Sequence, residues 1–144
     1  MNLNDVRSLL NAPSAAVLMT YRPDGSADVS PVWFRCTEDA FEAVIADGDA
    51  KLSHLHHDPR AVLTIFETTS PFRGVKLSAA TDLDSDAEHV REARMAISTR
   101  YLGAARGRAF VDSRGPGVVV RLPLDNARVW DLSGSLQGSG GGAV

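Results

Sequence analysis

Short apolar segments rich in β-branched residues dominate this sequence, and most follow one another without a long helix between them. Parallel strands need a long crossover connection, usually a helix, so consecutive segments of this kind predict antiparallel pairing. The segments that predict strands are residues 15–21, 26–36, 41–46, 60–68, 74–83, 118–122 and 128–132. The fourth and fifth carry apolar side chains on both faces, which predicts packing inside a barrel and against a second surface. A small closed barrel that dimerises satisfies both requirements.

Pro31 lies inside the second predicted strand, which forms a hairpin with the first through the turn at residues 22–25. Proline has no backbone N–H and cannot donate to a strand ladder. The position therefore predicts an edge strand, a bulge, or backbone left open for another group.

Three segments have helical spacing of apolar residues: 5–10, 50–57 and 85–101. Residues 47–49 offer N-cap side chains for the second, and Asp58–Pro59 ends it. Residues 106–116 contain glycine and proline and predict a polar loop. The Gly- and Ser-rich residues 133–144 predict a disordered tail. We therefore expect one domain over 1–132 and a tail over 133–144.

The composition excludes several classes of protein. The 144 residues suffice for one globular domain, and the lone cysteine, Cys36, allows no internal disulfide. The net charge of −3 argues against general nucleic-acid binding. No signal peptide and no apolar run of about 20 residues is present, so we expect a cytoplasmic protein without membrane contact.

The sequence lacks the usual catalytic motifs, such as a dinucleotide-binding glycine loop, a Walker loop or a nucleophile elbow. Cys36 lies in a predicted strand, where a small buried side chain is the first interpretation and a nucleophile the second. The group His54, His56 and His57 is compatible with a metal or haem site, but solvated or helix-capping histidines are the first interpretation. No carboxylate stands at ligand spacing, so no metal site is predicted.

Lys51 lies in the first turn of a predicted helix that directly follows a strand. Free backbone N–H groups and the helix dipole favour an anion at such a position. An ordinary surface lysine is the alternative interpretation. Asp47 and Asp49 precede it, and two carboxylates so close oppose anion binding.

A family resemblance rests on motifs in a fixed order: 23-Pro-Asp-Gly-Ser-26, 29-Val-Ser-Pro-Val-Trp-Phe-Arg-35, then Lys51, Leu55 and 58-Asp-Pro-Arg-60. Arg100-Tyr101-Leu102-Gly103 and Ala127-Arg128-Val129-Trp130 continue it. With these motifs the sequence resembles the split-barrel flavin- and deazaflavin-binding proteins related to pyridoxamine 5'-phosphate oxidase. Within them it resembles the branch of coenzyme F420-dependent enzymes, over roughly residues 3–132.

The resemblance implies a mainly β fold, a six-stranded antiparallel split β-barrel, and a homodimer with cofactor sites between subunits. It implies hydride transfer between a reduced deazaflavin, coenzyme F420, and a conjugated small molecule such as an enone, quinone or tetrapyrrole. FMN-dependent oxidase or reductase chemistry is one alternative, and non-catalytic binding of a flavin or haem is another. The positions implied to bind cofactor are Ser30, Pro31, Val32, Trp33, Lys51, Leu52, Arg60, Phe72, Arg73 and Lys76.

The resemblance assigns no catalytic side chain. Tyr21, Tyr101 and solvent all remain open as proton donor. Ser53 and His54 occupy positions after Lys51 where the family usually has Arg and Asn, and Ala79 replaces the usual glycine of the fifth strand.

Overall fold

The computed structural model describes residues 2–132, so the predicted tail at 133–144 lies outside the described residues. The strands are β1 (Ala15–Tyr21), β2 (Ala27–Pro31), β3 (Arg35–Cys36), β4 (Ala40–Ala46), β5 (Arg60–Phe66), β6 (Gly74–Ala80), β7 (Asp82–Asp84), β8 (Gly117–Pro123) and β9 (Arg128–Trp130). The helices are α1 (Arg7–Asn11), α2 (Ala50–His57), α3 (Ala87–Leu102) and α4 (Ala104–Asp112), and a 3-10 turn at Leu3–Val6 precedes α1.

The strands form two sheets in which every neighbouring pair is antiparallel, as the sequence predicted. One sheet has the order β2-β1-β5-β6-β9, and the other has the order β3-β4-β8-β7. The mainly β split-barrel fold class is confirmed. The described residues contain nine strand segments rather than the seven predicted from the apolar segments, because two predicted strands are each divided between the sheets.

The first division follows Pro31. This proline ends β2, which is an edge strand of its sheet, so the edge position is confirmed. The prediction of one strand over 26–36 was wrong beyond that point, because the chain crosses to the other sheet. Phe34 lies in this crossing and is fully buried, with its ring 6.1 Å from that of Phe41. β3 then pairs with β4.

The second division falls at Thr81, within the predicted strand 74–83. The backbone N–H and the hydroxyl of Thr81 both donate to the carbonyl of Pro59, each at 2.8 Å. This carbonyl therefore satisfies the donors that the end of β6 would otherwise leave unpaired. The chain continues as β7 beside β8.

The core lies between the sheets and follows from strict alternation of side chains. In β5 the residues Ala61, Leu63 and Ile65 are buried, and the residues between them face outward. α2 adds Leu52 and Leu55 to this core. A smaller cluster on the other side of the second sheet joins α3 to β4 and β8.

The prediction of a loop at residues 106–116 was wrong, since residues 104–112 form helix α4. Gly103 adopts a φ of +82° and separates α3 from α4. Gly107 lies in α4 at a close approach to α3, where a Cβ would stand 3.0 Å from the backbone nitrogen of Thr99. Glycine is about 1 kcal/mol less favourable than alanine in a helix, so the sequence does not predict α4. The same glycine lets the two helices pack closely.

Contacts with α3 fix the N-terminal segment over one end of the barrel. Arg100 donates through Nη2 to the carbonyls of Leu10 and Ala12, at 2.9 and 2.6 Å. The Tyr101 hydroxyl donates to the carbonyl of Ser14 at 2.8 Å. In residues 2–132, no helix has the length and apolar character needed to cross a membrane.

Phe34 provides a test of the crossing between the sheets. We expect Phe34→Ala to lower the free energy of unfolding by about 3–5 kcal/mol, because it leaves a large cavity in the core. The neighbouring Trp33→Ala removes an exposed stacked ring and is expected to cost about 0.5–1.5 kcal/mol. Urea denaturation of both variants checks this. Equal losses would show that residues 32–34 are not anchored by Phe34.

Candidate functional site

A cleft of about 360 Å³ opens where the connection between β2 and β3 faces the second sheet and the helices. Its lining residues are Pro31, Val32, Trp33, Val44, Ile45, Ala46, Asp49, Lys51, Arg94, Ile97, Ser98, Phe110 and Arg114. The walls are therefore mainly apolar, and the charged groups come from α2, from α3 and from the loop after α4.

The connection between β2 and β3 forms one wall of the cleft. Trp33 is 37% exposed, and its ring stacks on Tyr101 at 5.0 Å with an angle of 8° between the planes. It also contacts Phe110 of α4 at 5.3 Å. Buried Phe34 and the stacked Trp33 hold this short segment from both sides, so the wall is fixed before any ligand arrives.

The N-terminus of α2 brings Asp49 and Lys51 to the cleft as an ion pair. The Asp49 carboxylate caps the helix by accepting the Lys51 backbone N–H at 2.9 Å. The Lys51 ammonium lies 3.2 Å from both carboxylate oxygens. Burial raises the pKa of Asp49, but the backbone and ammonium donors of Lys51 outweigh it and hold that pKa below its usual value. Asp49 is therefore ionised near neutral pH and neutralises Lys51.

Arg94 and Arg114 are the other two cations of the cleft. Arg94 is buried on α3, and its Nη1 donates to the carbonyl of Gly115 at 2.8 Å. The Arg114 guanidinium lies 4.2 Å above the ring of Phe110. Among residues 2–132, no carboxylate forms an ion pair with either arginine. The positive charge available for a ligand thus lies on α3 and on the loop after α4.

The structure brings four of the residues implied by the resemblance together in the cleft: Pro31, Val32, Trp33 and Lys51. Two others lie close in sequence but point elsewhere. The Leu52 side chain is buried in the core. Ser30 shares the inward face of β2, and its buried hydroxyl has no hydrogen-bond partner in the described part of the chain.

The other four implied residues lie outside the cleft of this chain: Arg60, Phe72, Arg73 and Lys76. Arg60 is exposed, pairs with Asp58 at 2.7 Å and covers the ring of Tyr21. Arg73 donates to Glu67 at 2.7 Å. Lys76 is exposed on the outer face of the five-stranded sheet, and Phe72 lies in the turn before β6 with a φ of +58°.

Sequence reasoning missed Arg94, Arg114, Ser98 and Phe110. A signal for the first was present, because Arg94 and Ser98 continue the stripe of Val90 at four-residue spacing on the buried face of α3. A cation in such a stripe indicates a buried role. Arg114 and Phe110 carried no such signal, since their segment was predicted to be a loop.

The histidines and the cysteine lie away from the cleft. His54 is buried, 3.0 Å from the Thr20 hydroxyl, and His56 and His57 are exposed on α2. His89 contacts Asp84 at 2.6 Å. Burial raises the pKa of the Cys36 thiol, which disfavours the reactive thiolate. Within the described residues, no three side chains of metal-ligating type come together.

A planar ring with an anionic group fits this arrangement. Val32, Trp33, Ile97 and Phe110 provide apolar surfaces, and the two arginines provide donors for the anion. Ligand sites generally combine a largely apolar lining with a few placed polar groups. The residues present therefore suit a flavin or a deazaflavin.

Comparisons with known proteins agree with this geometry. The family model described as pyridoxamine 5'-phosphate oxidase matches residues 4–131. No curated protein matches the sequence. Among solved structures, the conserved hypothetical protein Rv2991 from Mycobacterium tuberculosis has a TM-score of 0.80 at 21% identity, covering 100% of this chain and 92% of that one.

Two further structures show the range of proteins with this fold. The haem storage protein HutZ from Vibrio cholerae has a TM-score of 0.68 at 15% identity, covering 90% of this chain and 95% of its own. A structure described as an F420 reductase has a TM-score of 0.60 at 19% identity, covering 85% and 94%. At these identities the likeness shows the fold alone.

Asp49 offers a test of the charge balance at Lys51. Asparagine caps a helix as well as aspartate does, so Asp49→Asn keeps the cap and removes the charge that neutralises Lys51. If the phosphate of FMN lies near Lys51, we expect this variant to bind FMN about threefold to tenfold more tightly. A fluorescence titration measures the dissociation constant. Asp47→Asn is the matched control, and equal affinities in both variants would separate Lys51 from the phosphate.

Proposed function

This chain belongs to the pyridoxamine 5'-phosphate oxidase family, and we propose that it is a coenzyme F420-dependent oxidoreductase. Its substrate would be a conjugated small molecule such as an enone, a quinone or a tetrapyrrole. The observation that carries the proposal is the cleft, which joins residues 31–33 and Lys51 although strands β3 and β4 separate them in sequence. These are positions that the family resemblance implies for cofactor binding.

The residues of the cleft have separate roles in this proposal. Val32, Trp33 and Phe110 hold the planar ring, and the cations of the cleft that have no carboxylate partner in residues 2–132 hold its acidic groups. When bound, a reduced deazaflavin supplies the hydride that a conjugated double bond accepts. The protein contributes orientation and a shielded surface, which requires no triad or dyad of its own.

The proton that accompanies the hydride comes from solvent in this proposal. The Tyr101 hydroxyl is occupied by the carbonyl of Ser14, and burial raises its pKa. Tyr21 lies on the outer face of the five-stranded sheet beneath Arg60. Neither hydroxyl lines the cleft.

FMN is the second candidate cofactor, because the matching family model is that of an oxidase of the flavin-binding class. The same apolar walls and cations suit either ring. Haem finds less support, because a haem iron is usually held by His, Cys, Met or Tyr. The described cleft lining contains none of these residues.

A homodimer would complete the site. The outer face of the five-stranded sheet carries partly exposed apolar side chains in register, including Val17, Met19 and Val62, and Val29 is 58% exposed there. A second copy covering this face would remove these side chains from water. Lys76 lies on the same face, so a partner would place it at an interface rather than in solvent.

Titration of F420 and FMN into one preparation tests the assignment of cofactor. We expect F420 to bind more tightly than FMN, and Ala46→Trp to weaken both by about tenfold or more, because Ala46 is an exposed residue of the cleft lining. Ala105→Trp on exposed α4 is the control. Tighter binding of FMN would favour the second candidate. Failure of both to bind, or binding unchanged in Ala46→Trp, would contradict the proposal.

Sedimentation tests the homodimer. We expect the wild-type protein to sediment at twice its chain mass of 15.4 kDa. Val29→Lys introduces a charge on the apolar outer face and is expected to give monomers, whereas Ala105→Lys on α4 leaves the dimer intact. A wild-type monomer would rule the dimer out, and a dimeric Val29→Lys variant would place the interface on another face.

A further inference from the structure

Arg94 is a buried cation without a counter-ion in the described residues. Arg94 is 9% exposed, and its single hydrogen bond within the described residues runs from Nη1 to the carbonyl of Gly115. A guanidinium has five N–H donors, so Nε and Nη2 have no acceptor within residues 2–132. Neither nitrogen is among the fully buried atoms that lack a partner, so both reach the open space of the clefts that Arg94 lines. These open donors suit an anion that enters a cleft.

The fold makes room for this guanidinium. A Cβ on Gly117 would stand 2.4 Å from Arg94 Nη2 and 3.0 Å from the carbonyl oxygen of Ile45. A side chain at the start of β8 would require the guanidinium to shift. Gly117 therefore leaves the room that the guanidinium occupies.

Arg114 brings a second cation to the same cleft. It lies over the ring of Phe110 and reaches the cleft from the loop after α4. Burial and the charge of Arg114 together lower the pKa of Arg94. Two cations that line one cleft with no carboxylate partner in residues 2–132 favour an oxyanion that contacts both.

Lys51, in contrast, is already neutralised. Both oxygens of Asp49 lie 3.2 Å from its ammonium. The available positive charge of the cleft is therefore on the arginines, and not on the lysine at the start of α2.

We propose that Arg94 and Arg114 form a binding site for an oxyanion, a carboxylate or a phosphate, carried by the molecule that occupies the cleft. A guanidinium matches two oxygens of such a group at once. The oxyanion belongs either to the cofactor or to an acidic conjugated substrate. The inference rests on the proposed function only in using the same cleft, and its first test needs no cofactor.

The first test is binding of inorganic phosphate to the cofactor-free protein, measured by thermal unfolding at constant ionic strength. We expect phosphate to stabilise the wild-type protein, and Arg114→Met to weaken its binding by about tenfold. Arg114 is exposed, so this variant should fold. Arg94→Met should have the same effect, and Arg94→Lys, which keeps the charge, checks that any loss is not misfolding.

Arg91 provides the matched control. It lies on the same helix, pairs with Asp112 at 3.5 Å, and lines a neighbouring cleft of about 250 Å³ that Arg94 and Arg114 also border. We expect Arg91→Met to bind phosphate like the wild type. Loss of binding in Arg91→Met would move the anion to the neighbouring cleft and overturn the proposal, as would unchanged binding in both Arg94→Met and Arg114→Met.

The second test finds the source of the oxyanion. FMN and riboflavin differ only by a phosphate. If the oxyanion belongs to the cofactor, FMN binds more tightly than riboflavin, and Arg114→Met removes the preference. If it belongs to the substrate, the preference is unchanged, and a conjugated acid such as cinnamate competes with phosphate whereas cinnamamide does not. Both results support the site. Failure of both F420 and FMN to bind, with phosphate binding intact, would contradict the proposed function and leave the oxyanion site standing.

Discussion

The crossing of the chain from β2 to β3 at residues 32–34 is the constraint on which the site depends. β2 ends at Pro31 on the edge of its sheet, the Val32 backbone N–H makes one more bond to the carbonyl of Ala16 at 3.0 Å, and the chain then crosses to the second sheet. Phe34 anchors the crossing in the core, which leaves Val32 and Trp33 at the surface between the sheets. The wall of the cleft formed by the connection between β2 and β3 therefore results from the division of one predicted strand between two sheets. Its rigidity comes from the buried ring on one side and the aromatic stack on the other.

Charge placement decides where in the cleft an anion binds. The helix N-terminus at α2 is the position that a family comparison would favour, but Asp49 caps that helix and pairs with Lys51. One carboxylate thus performs a structural role and removes a functional charge. The same cleft receives two cations from α3 and from the loop after α4, and these have no carboxylate partner within residues 2–132. Because Asp49 pairs with Lys51, the positive charge available to a ligand lies on Arg94 and Arg114 rather than at the start of α2.

Local chemistry predicted the elements whose signals are local. An N-cap within residues 47–49, the bounds of α2 and the strand β5 were all predicted, because each depends on neighbours in sequence. The predicted strand over 26–36 was wrong beyond Pro31. Phe34 packs against Phe41 in the core, and no pattern of neighbouring residues predicts this contact. Helix α4 was not predicted, because glycine at position 107 disfavours a helix in the sequence. Its advantage, the close approach of α4 to α3, is visible only in the folded structure. Arg94 had a signal in the four-residue spacing of buried residues on α3, whereas Arg114 reaches the cleft through the packing of α4, which no local pattern encodes.

In the proposed complex, the cleft beside Val32 and Trp33 holds the ring of a deazaflavin or flavin, and Arg94 and Arg114 hold an oxyanion. The most direct test is a crystal structure of the protein grown with F420 or FMN. We expect the ring to lie against Val32 and Trp33, with an oxyanion of the bound cofactor or of a co-crystallised acidic substrate in contact with both guanidinium groups. A ring bound on another face, or a complex in which every oxyanion contacts Lys51 and neither arginine, would contradict the proposal.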